Sequence, residues 1–290
     1  MLEDLLVSGA TTGAVYALLA LGFTLIYGVA KILNLSHGAF YMLGAYIFYA
    51  SINFFQLETF PALIFAVVFV GLIGAIVYGL CIRPVVESEL NVMVVTLGTA
   101  MIFQYLVVLL FGSKHRTISY LMPELPLIEI LGVSVRTQKL IALAVSLSLI
   151  VMLWIFISKS KIGGAMRAMA QDREVATLMG INTERLFVLT LVISASLAAI
   201  AGILVTPLSV ASPDMWMFPL VISFSVVILG GLGSIKGSLV GAFILAYTEE
   251  TVVFLAQGEE HLRGAFSLLI MVLVLLLRPR GLFGKRVEME

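Results

Sequence analysis

The stretch LLVSGATTGAVYALLALGFTLIYGVA, which runs from Leu5 to Ala30, contains 26 residues and no charged side chain. A helix needs about 20 apolar residues to cross a hydrocarbon layer of about 30 Å. Because lipid offers no hydrogen-bond partner to the backbone, segments that cross it are helices or closed β-barrels. The apolar residues are continuous rather than alternating, which favours a helix. The stretch therefore predicts a transmembrane helix.

Apolar segments recur along the rest of the 290 residues, of which 61% are hydrophobic and only 12% charged. Soluble domains carry about 25% charged residues. The pattern predicts an all-α, polytopic transmembrane helix bundle that forms a single domain over residues 1–290. The nine predicted spans are residues 5–30, 39–55, 61–82, 90–111, 140–158, 186–207, 216–229, 238–256 and 265–277.

The seventh predicted span is short, and the glycine-rich sequence GGLGSIKG of residues 230–237 follows it. An alternative is that the seventh and eighth segments form one broken or re-entrant element, which gives eight spans. Glu3 and Asp4 precede the first span, where a signal peptide would carry basic residues. We therefore expect the first span to be retained and not cleaved.

The polar residues exclude several classes of function. The formal net charge is +0, so nothing suggests nucleic acid. Cys81 is the only cysteine, and the three histidines do not have metal-ligand spacing, so we expect neither an internal disulfide nor a metal site. No lysine lies in a GxxxxGK[ST] loop. We expect no cofactor and no ATPase activity; if ATP drives this chain, another polypeptide binds it.

The charged residues also predict how the chain lies in a plasma membrane. Short cytoplasmic loops are enriched in lysine and arginine. With the segment of residues 159–185 placed inside, twelve of the 17 basic residues lie inside and five lie outside. We therefore expect a cytoplasmic C-terminus, an outer N-terminus for nine spans, and an extracytoplasmic loop at residues 112–139. Pro123, Pro126 and Gly132 make that loop a small ordered loop or hairpin, too short to be a domain.

The sequence GGAMRAMAQDREVATLMGINTER of residues 163–185 is the most polar part of the chain. Asp172 is a favourable N-cap, Glu174 suits the positive end of a helix, and Gly180 can end the helix in the left-handed conformation. Asn182 is placed to cap the next span. The segment predicts a short helix on the membrane face between spans five and six. So short a helix must dock, either on its own bundle or in a groove of a partner.

Two polar interruptions break the apolar pattern, KILNLSHG at residues 31–38 and GGLGSIKG at residues 230–237. Paired interruptions of transmembrane helices often mark a substrate route. The alternative, slightly favoured by the sequence, is two ordinary cytoplasmic turns. The candidate residues of the first interruption are Asn34, Ser36, His37 and Gly38.

Small residues and acidic residues within the spans give further expectations. Gly9, Gly13 and Ala17 form a stripe at every fourth position, as do Gly233, Gly237 and Gly241, and such stripes are typical of packing seams between helices. Ionisable groups in lipid are costly, which makes the Glu249–Glu250 pair of the eighth span a candidate for the route. We expect one of the two to face the bundle interior and the other the outer interface.

Several stretches together resemble a known family. They are RAMAQDREVATLMGINTERL (residues 167–186), GATTGAVYALLALGFTLIYGVAKILNLSHGAFYMLGAY (9–46), GGLGSIKGSLVGA (230–242) and LLLRPRGLFGK (275–285). They resemble the shorter of the two permease types of branched-chain amino acid ABC importers, over nearly the whole chain. Arg173 departs from the family, which often has proline after the capping aspartate. Since proline there only pre-sets the backbone, the departure leaves the expected coupling intact.

The resemblance implies an assembly. A second, homologous permease (or a second copy) would pair with this chain, two cytoplasmic ATPase subunits would bind beneath it, and an extracytoplasmic binding protein would deliver a leucine, isoleucine or valine substrate. The ATPase-coupling residues would be Arg167, Gln171, Asp172, Glu174, Ala176, Gly180 and Asn182. The pathway or gating residues would be Asn34, Ser36, His37, Gly38, Glu249 and Glu250.

Other functions stay open at the level of sequence. The same machine could import urea, an amide or a simple sugar, because the binding protein largely selects the solute. An ion-coupled secondary carrier that uses Glu249 or Glu250 is a further alternative. A membrane enzyme is disfavoured, since the sequence suggests no catalytic constellation and neighbouring residues on a helix such as this glutamate pair point about 100° apart.

Overall fold

The structure is a computed structural model that describes residues 2–117, 121, 127–130, 133–256, 262–278 and 281–283. Pro123, Pro126, Gly132, Arg280, Lys285 and Arg286, which the sequence analysis used, lie outside the described residues. The α-helices within these ranges are α1 (Leu2–Ala30), α2 (His37–Asn53), α3 (Thr59–Val77), α4 (Glu89–Phe111), α5 (Thr137–Lys159), α6 (Lys161–Gln171), α7 (Arg173–Leu178), α8 (Thr183–Val205), α9 (Met217–Gly230), α10 (Ile235–Leu255) and α11 (Leu262–Leu277).

The expected all-α bundle is confirmed. Six of the described helices are long and apolar enough to cross a membrane, among them α3 with its continuation to Val85 through a π-helical turn and a 3₁₀ turn. Helices α2, α9 and α11 are shorter. The expected hairpin in the long loop is also present, with strands β1 (Ile128–Ile130) and β2 (Val133–Val135) paired antiparallel. We call the end of the bundle that carries this loop the hairpin end, and the opposite end the α6–α7 end.

Helices that start at the α6–α7 end have side-chain N-caps. The Ser88 hydroxyl accepts a hydrogen bond from the Asn91 N–H before α4, and Ser234 accepts one from the Gly237 N–H before α10. The first N–H groups of a helix have no partner within the helix, so a serine oxygen supplies one. These caps define where the helices begin, on the side where the chain carries most of its polar connections.

Helix α8 lies at the centre of the bundle and contacts α1, α2, α3 and α5. Glycines allow this close packing. A Cβ atom at Gly202 would overlap the Tyr41 backbone of α2, and one at Gly44 would overlap the Ala199 backbone of α8. In lipid, small residues at such crossings let helices approach and gain van der Waals contact. The α2–α8 crossing is therefore a fixed seam of the fold.

The two predicted small-residue stripes also lie at helix seams. Gly9 and Gly13 of α1 receive the rings of Tyr247 and Phe243 of α10. In the second stripe, Gly237 of α10 lies directly against the Gly230 backbone at the end of α9. The expectation that these stripes pack helices together is confirmed.

The described C-terminal segment closes the end of α9. The backbone N–H of Leu282 donates to the Leu229 carbonyl (2.8 Å), and that of Phe283 donates to the Gly230 carbonyl (3.0 Å). The last carbonyls of a helix lack intrahelical donors, so this segment satisfies two of them. The C-terminal segment therefore lies at the α6–α7 end.

Candidate functional sites

Helix α6 folds back tightly from α5 at the α6–α7 end. The Ser160 hydroxyl accepts from the Gly163 N–H (2.9 Å) and caps the helix. A Cβ atom at Gly163 would overlap the carbonyl oxygens of the last turn of α5. Met166 and Met169 are buried, whereas Arg167 is exposed. The sequence analysis did not predict this helix, although its apolar residues at a spacing of three were the available signal.

Helix α7 follows at once, and its predicted caps are confirmed. The Asp172 carboxylate accepts from the Val175 N–H (3.0 Å). At the other end Gly180 has φ +83°, its N–H donates to the Thr177 carbonyl, and the Ile181 N–H donates to the Ala176 carbonyl. This pair of bonds is the Schellman arrangement, which ends a helix.

The connection from α7 to α8 is also capped. The Asn182 side chain accepts from the Arg185 N–H (3.0 Å) and thereby begins α8. Only one predicted coupling residue of this face, Ala176, is buried. The exposed ones are Arg167, Gln171, Asp172, Glu174, Gly180 and Asn182. The structure thus places six of the seven on the exposed surface of the α6–α7 end and Ala176 on the inner side of α7.

An apolar surface lies among these polar residues. Leu178 is 86% exposed and Met179 78% exposed, and Val175 is exposed beside them. Ala176 points the opposite way, into the bundle. The predicted caps located this helix in the sequence, but they did not indicate which of its residues form the exposed face. The burial of Ala176 depends on tertiary contacts, so the local pattern could not distinguish the two faces.

Charged and aromatic contacts fix α7 and the start of α8 to the rest of the bundle. Arg83, after the π-helical turn of α3, forms an ion pair with Glu184 at 2.7 Å. The Arg173 guanidinium lies over the Phe187 ring, 4.8 Å from its centroid. A displacement of α7 would therefore be felt directly by α8 and, through the Arg83–Glu184 ion pair, by the end of α3.

The first interruption lies deep within the bundle and is not a cytoplasmic turn, which corrects the interpretation that the sequence slightly favoured. His37 is fully buried, and its Nε2 bonds the Leu19 carbonyl (3.0 Å) in the middle of α1. Since a carbonyl only accepts, Nε2 carries the hydrogen, and Nδ1 accepts from the Ser194 hydroxyl (3.1 Å) in the middle of α8. Helix α2 therefore begins at mid-depth.

The other residues of this interruption are buried with His37. The Asn34 Oδ1 atom accepts from both the N–H and the hydroxyl of Ser36, and the Leu35 N–H donates to Thr96 of α4. Gly38 lies against the Trp216 carbonyl, so closely that a Cβ atom would overlap it. Gly38 is thus the point where the start of α2 meets the start of α9.

The structural counterpart of the first interruption is the segment that precedes α9, and not GGLGSIKG. Trp216 is buried at the start of α9, and its indole N–H donates to Gln104 of α4 (2.9 Å). By contrast, Leu232 in the GGLGSIKG turn is exposed, and Gly231 and Gly233 have positive φ angles of +102° and +80°. This second sequence is a tight turn at the α6–α7 end, as the alternative interpretation held.

Glu249 and Glu250 lie between α10 and α1. The Tyr16 hydroxyl donates to Glu249 (2.7 Å), and the Thr12 hydroxyl donates to Glu250 (2.9 Å). Glu249 is fully buried, whereas Glu250 is half-buried. Glu249 thus lies in the bundle interior, as expected for one of the two, and Glu250 contacts α1. The structure does not bring this pair together with the His37 region.

The family model described as "Branched-chain amino acid transport system / permease component" matches residues 5–275. The chain belongs to this permease family. The family consists of transport subunits and not of enzymes, and together with the apolar helices it makes the chain a multi-pass membrane protein.

Individual relatives extend the likeness over almost the whole chain. The high-affinity branched-chain amino acid permease LivH of Salmonella typhimurium is 33% identical over 98% of this chain and 95% of its own length. The permease BraD of Pseudomonas aeruginosa is also 33% identical, over 98% of this chain and 96% of its own. The structure of PsaBC from Streptococcus pneumoniae in complex with Fab shares the fold, with a TM-score of 0.55 and 12% identity over 95% of this chain and 92% of that one.

Proposed function

We propose that this chain is the short-type permease subunit of an ATP-driven importer of branched-chain amino acids. The observation that carries the proposal is 33% identity to LivH across 98% of the chain. Import of urea, an amide or a simple sugar is supported less well, because the family description and these relatives name branched-chain amino acids.

The partners we propose are a homologous permease or a second copy of this chain, two ATPase subunits and an extracytoplasmic binding protein. The chain has no GxxxxGK[ST] loop, so the ATPase subunits would bind the nucleotide. We propose no cofactor or metal for the chain itself. Residues 1–290 would form one permease domain, with the coupling loop at residues 159–185.

The α6–α7 face is the proposed contact with an ATPase subunit. Exposed apolar side chains at the aqueous end of a membrane protein mark interaction sites, and Leu178 and Met179 are nearly fully exposed. The six exposed coupling residues named above lie on the same exposed surface, and Ala176 anchors α7 beneath it. Because Arg173 contacts Phe187 and Arg83 contacts Glu184, a push on α7 would reach α8 and α3.

The route and its gate are proposed at the first interruption and the segment that precedes α9. The contact of Gly38 with the Trp216 carbonyl joins α2 and α9 at mid-depth, where a change in helix angle would open or close a passage. Leu35 bonds this junction to Thr96 of α4, and His37 bonds it to α1 and α8. Asn34 and Ser36 bond each other and so shape the turn before α2. Glu249 and Glu250 would keep α10 on α1 while the other helices move.

We propose nine membrane-crossing segments, with the C-terminus in the cytoplasm. Helices α2 and α9 begin at mid-depth, and the extended residues before each would complete its crossing. Nine crossings place the N-terminal end of α1 at the hairpin end, in agreement with the Lys139–Ser8 contact of 3.4 Å. The basic residues then favour the α6–α7 end as the inner one.

The test is leucine uptake by the whole importer in proteoliposomes with ATP inside and the binding protein outside. Leu178→Ala should lower the uptake rate at least severalfold, because it removes the most exposed apolar side chain of α7. Leu90→Ala, at a 74% exposed leucine at the start of α4, is the matched control and should transport normally. Equal rates for the two variants would contradict the coupling assignment.

The secondary-carrier alternative is tested with this polypeptide alone. Vesicles that contain only the permease should not accumulate leucine under an imposed proton or sodium gradient. If the permease alone accumulates leucine in these vesicles and Glu249→Gln abolishes the accumulation, the chain is an ion-coupled carrier and the importer proposal is wrong.

A further inference from the structure

The hairpin end of the bundle contains a group of polar atoms around Phe111 that the helix packing does not use. The Tyr46 ring lies 5.1 Å from the Phe111 ring, and Tyr46 is 1% exposed. The Arg116 Nη2 atom donates to the Phe111 carbonyl (2.8 Å), and its guanidinium lies 5.9 Å from the Tyr49 ring. Phe111, at the end of α4, therefore contacts both the buried phenol of Tyr46 and the guanidinium of Arg116.

Two buried donors belong to this group. Within the described part of the chain, neither the Tyr46 hydroxyl nor the Arg116 Nε atom makes a hydrogen bond, although both atoms are buried. Burying a donor without a partner costs free energy, so native proteins rarely leave one unsatisfied without a use for it. A phenol and a guanidinium together suit a carboxylate, which accepts short, charge-assisted hydrogen bonds from both.

An acidic residue lies in the chain segment that pairs with Arg116. Arg116 pairs with Ala211 in an isolated antiparallel bridge, which brings the segment before α9 against the loop after α4. Asp214 belongs to the same short segment as Ala211 and is exposed. A simple anion would be repelled by Asp214. A ligand with an ammonium group next to its carboxylate would be favoured by it.

We propose that Arg116, Tyr46 and Asp214 form a binding site for the carboxylate and ammonium groups of an α-amino acid. Tyr46 lies nine residues after His37 on α2, about 14 Å closer to the hairpin end. The site thus stands between the hairpin surface and the Gly38–Trp216 contact, where a released substrate would be held before the gate. The proposal rests on the proposed function, which supplies an amino-acid substrate.

Tyr46→Phe is the decisive variant, because it removes only a hydroxyl that has no partner in the described structure. A purely structural role predicts unchanged or slightly higher stability and normal transport. A binding role predicts a fall of about tenfold in the leucine uptake rate at saturating loaded binding protein, since a hydrogen bond to a charged group is lost. The controls are Tyr105→Phe, at an exposed tyrosine of α4, and Lys114→Gln, which removes a charge from the same loop as Arg116.

The experiment compares these variants with Arg116→Gln and Asp214→Asn in the complete importer, together with thermal unfolding of each purified assembly. We expect all three site variants to lose uptake and both controls to retain it, with Tyr46→Phe unfolding at the wild-type temperature. If Tyr46→Phe takes up leucine at the wild-type rate, the proposed binding site is wrong. The same conclusion follows if Tyr46→Phe loses uptake and also unfolds at a lower temperature than the wild type. A wild-type importer that does not take up leucine would instead overturn the proposed function.

Discussion

His37 illustrates how a single residue fixes the depth of an element. Its two ring nitrogens bond α1 and α8, and its Cε1 atom lies where Gly22 has no side chain, so that a Cβ atom there would come within 2.9 Å. The ring also meets Phe23 edge-on. His37 therefore joins α1, α2 and α8 at one point of the bundle.

Removal of the Ser194 hydroxyl tests this junction. Ser194→Ala leaves the buried Nδ1 atom of His37 without a donor, which should lower the free energy of unfolding by about 1–3 kcal/mol. Ser148→Ala is the control, since Ser148 is exposed and bonds only its own helix. Chemical or thermal unfolding of the purified chain in detergent measures both. Equal stability of the two variants would show that the His37–Ser194 bond does not hold α2 in place.

The residues of KILNLSHG could be selected from the sequence, but their depth could not. Asparagine, serine, histidine and glycine in an apolar context predict an interruption by local chemistry alone. Whether an interruption lies at a membrane face or at mid-depth depends on contacts with Leu19 and Ser194, of which the second is 157 residues away. The sequence likewise predicted an ordinary span that begins at Trp216, because the contacts that place Trp216 at mid-depth are also distant in sequence.

Elements whose ends are set by local chemistry were predicted well. The caps of α7 and α8 depend on Asp172, Gly180 and Asn182, each of which bonds backbone groups within a few residues. The exposed face of α7 and the presence of α6 were not predicted, because both depend on which side docks on the bundle. The sequence thus predicted where α7 begins and ends, and only the packed structure supplied the surface that it offers.

Gly180→Ala tests whether the end of α7 matters to transport. A left-handed residue other than glycine costs about 1–2 kcal/mol, so the substitution should loosen the last turn and move Leu178 and Met179. We expect uptake by the whole importer to fall severalfold while the permease still assembles with its partners. Gly98→Ala is the control, because among the described residues an added Cβ atom there meets only open space. If Gly180→Ala transports at the Gly98→Ala rate, α7 does not need its fixed end.

In the whole molecule, successive membrane helices run in opposite directions. This alternation in direction determines which surfaces lie on the same side of the membrane. Arg83 meets Glu184, Gly28 lies by Gly233, and Leu282 bonds the end of α9, so these contacts all belong to the α6–α7 end. The Arg116–Ala211 bridge belongs to the hairpin end. Ala211 and Gly233 thus lie at opposite ends of the bundle, which supports the proposed complete crossing by α9 and the residues before it.

Cysteine labelling in whole cells distinguishes nine crossings from eight. In a Cys81→Ser background, a membrane-impermeant maleimide should label Lys114→Cys from outside, but Gln171→Cys and Leu232→Cys only after lysis. The position of Leu232 decides the count, because it lies in the exposed turn between α9 and α10. Labelling of Leu232→Cys in intact cells would mean that α9 and α10 form a re-entrant pair. The start of α9 would then not be a mid-membrane junction, and the gate proposed at Gly38 would lose its partner.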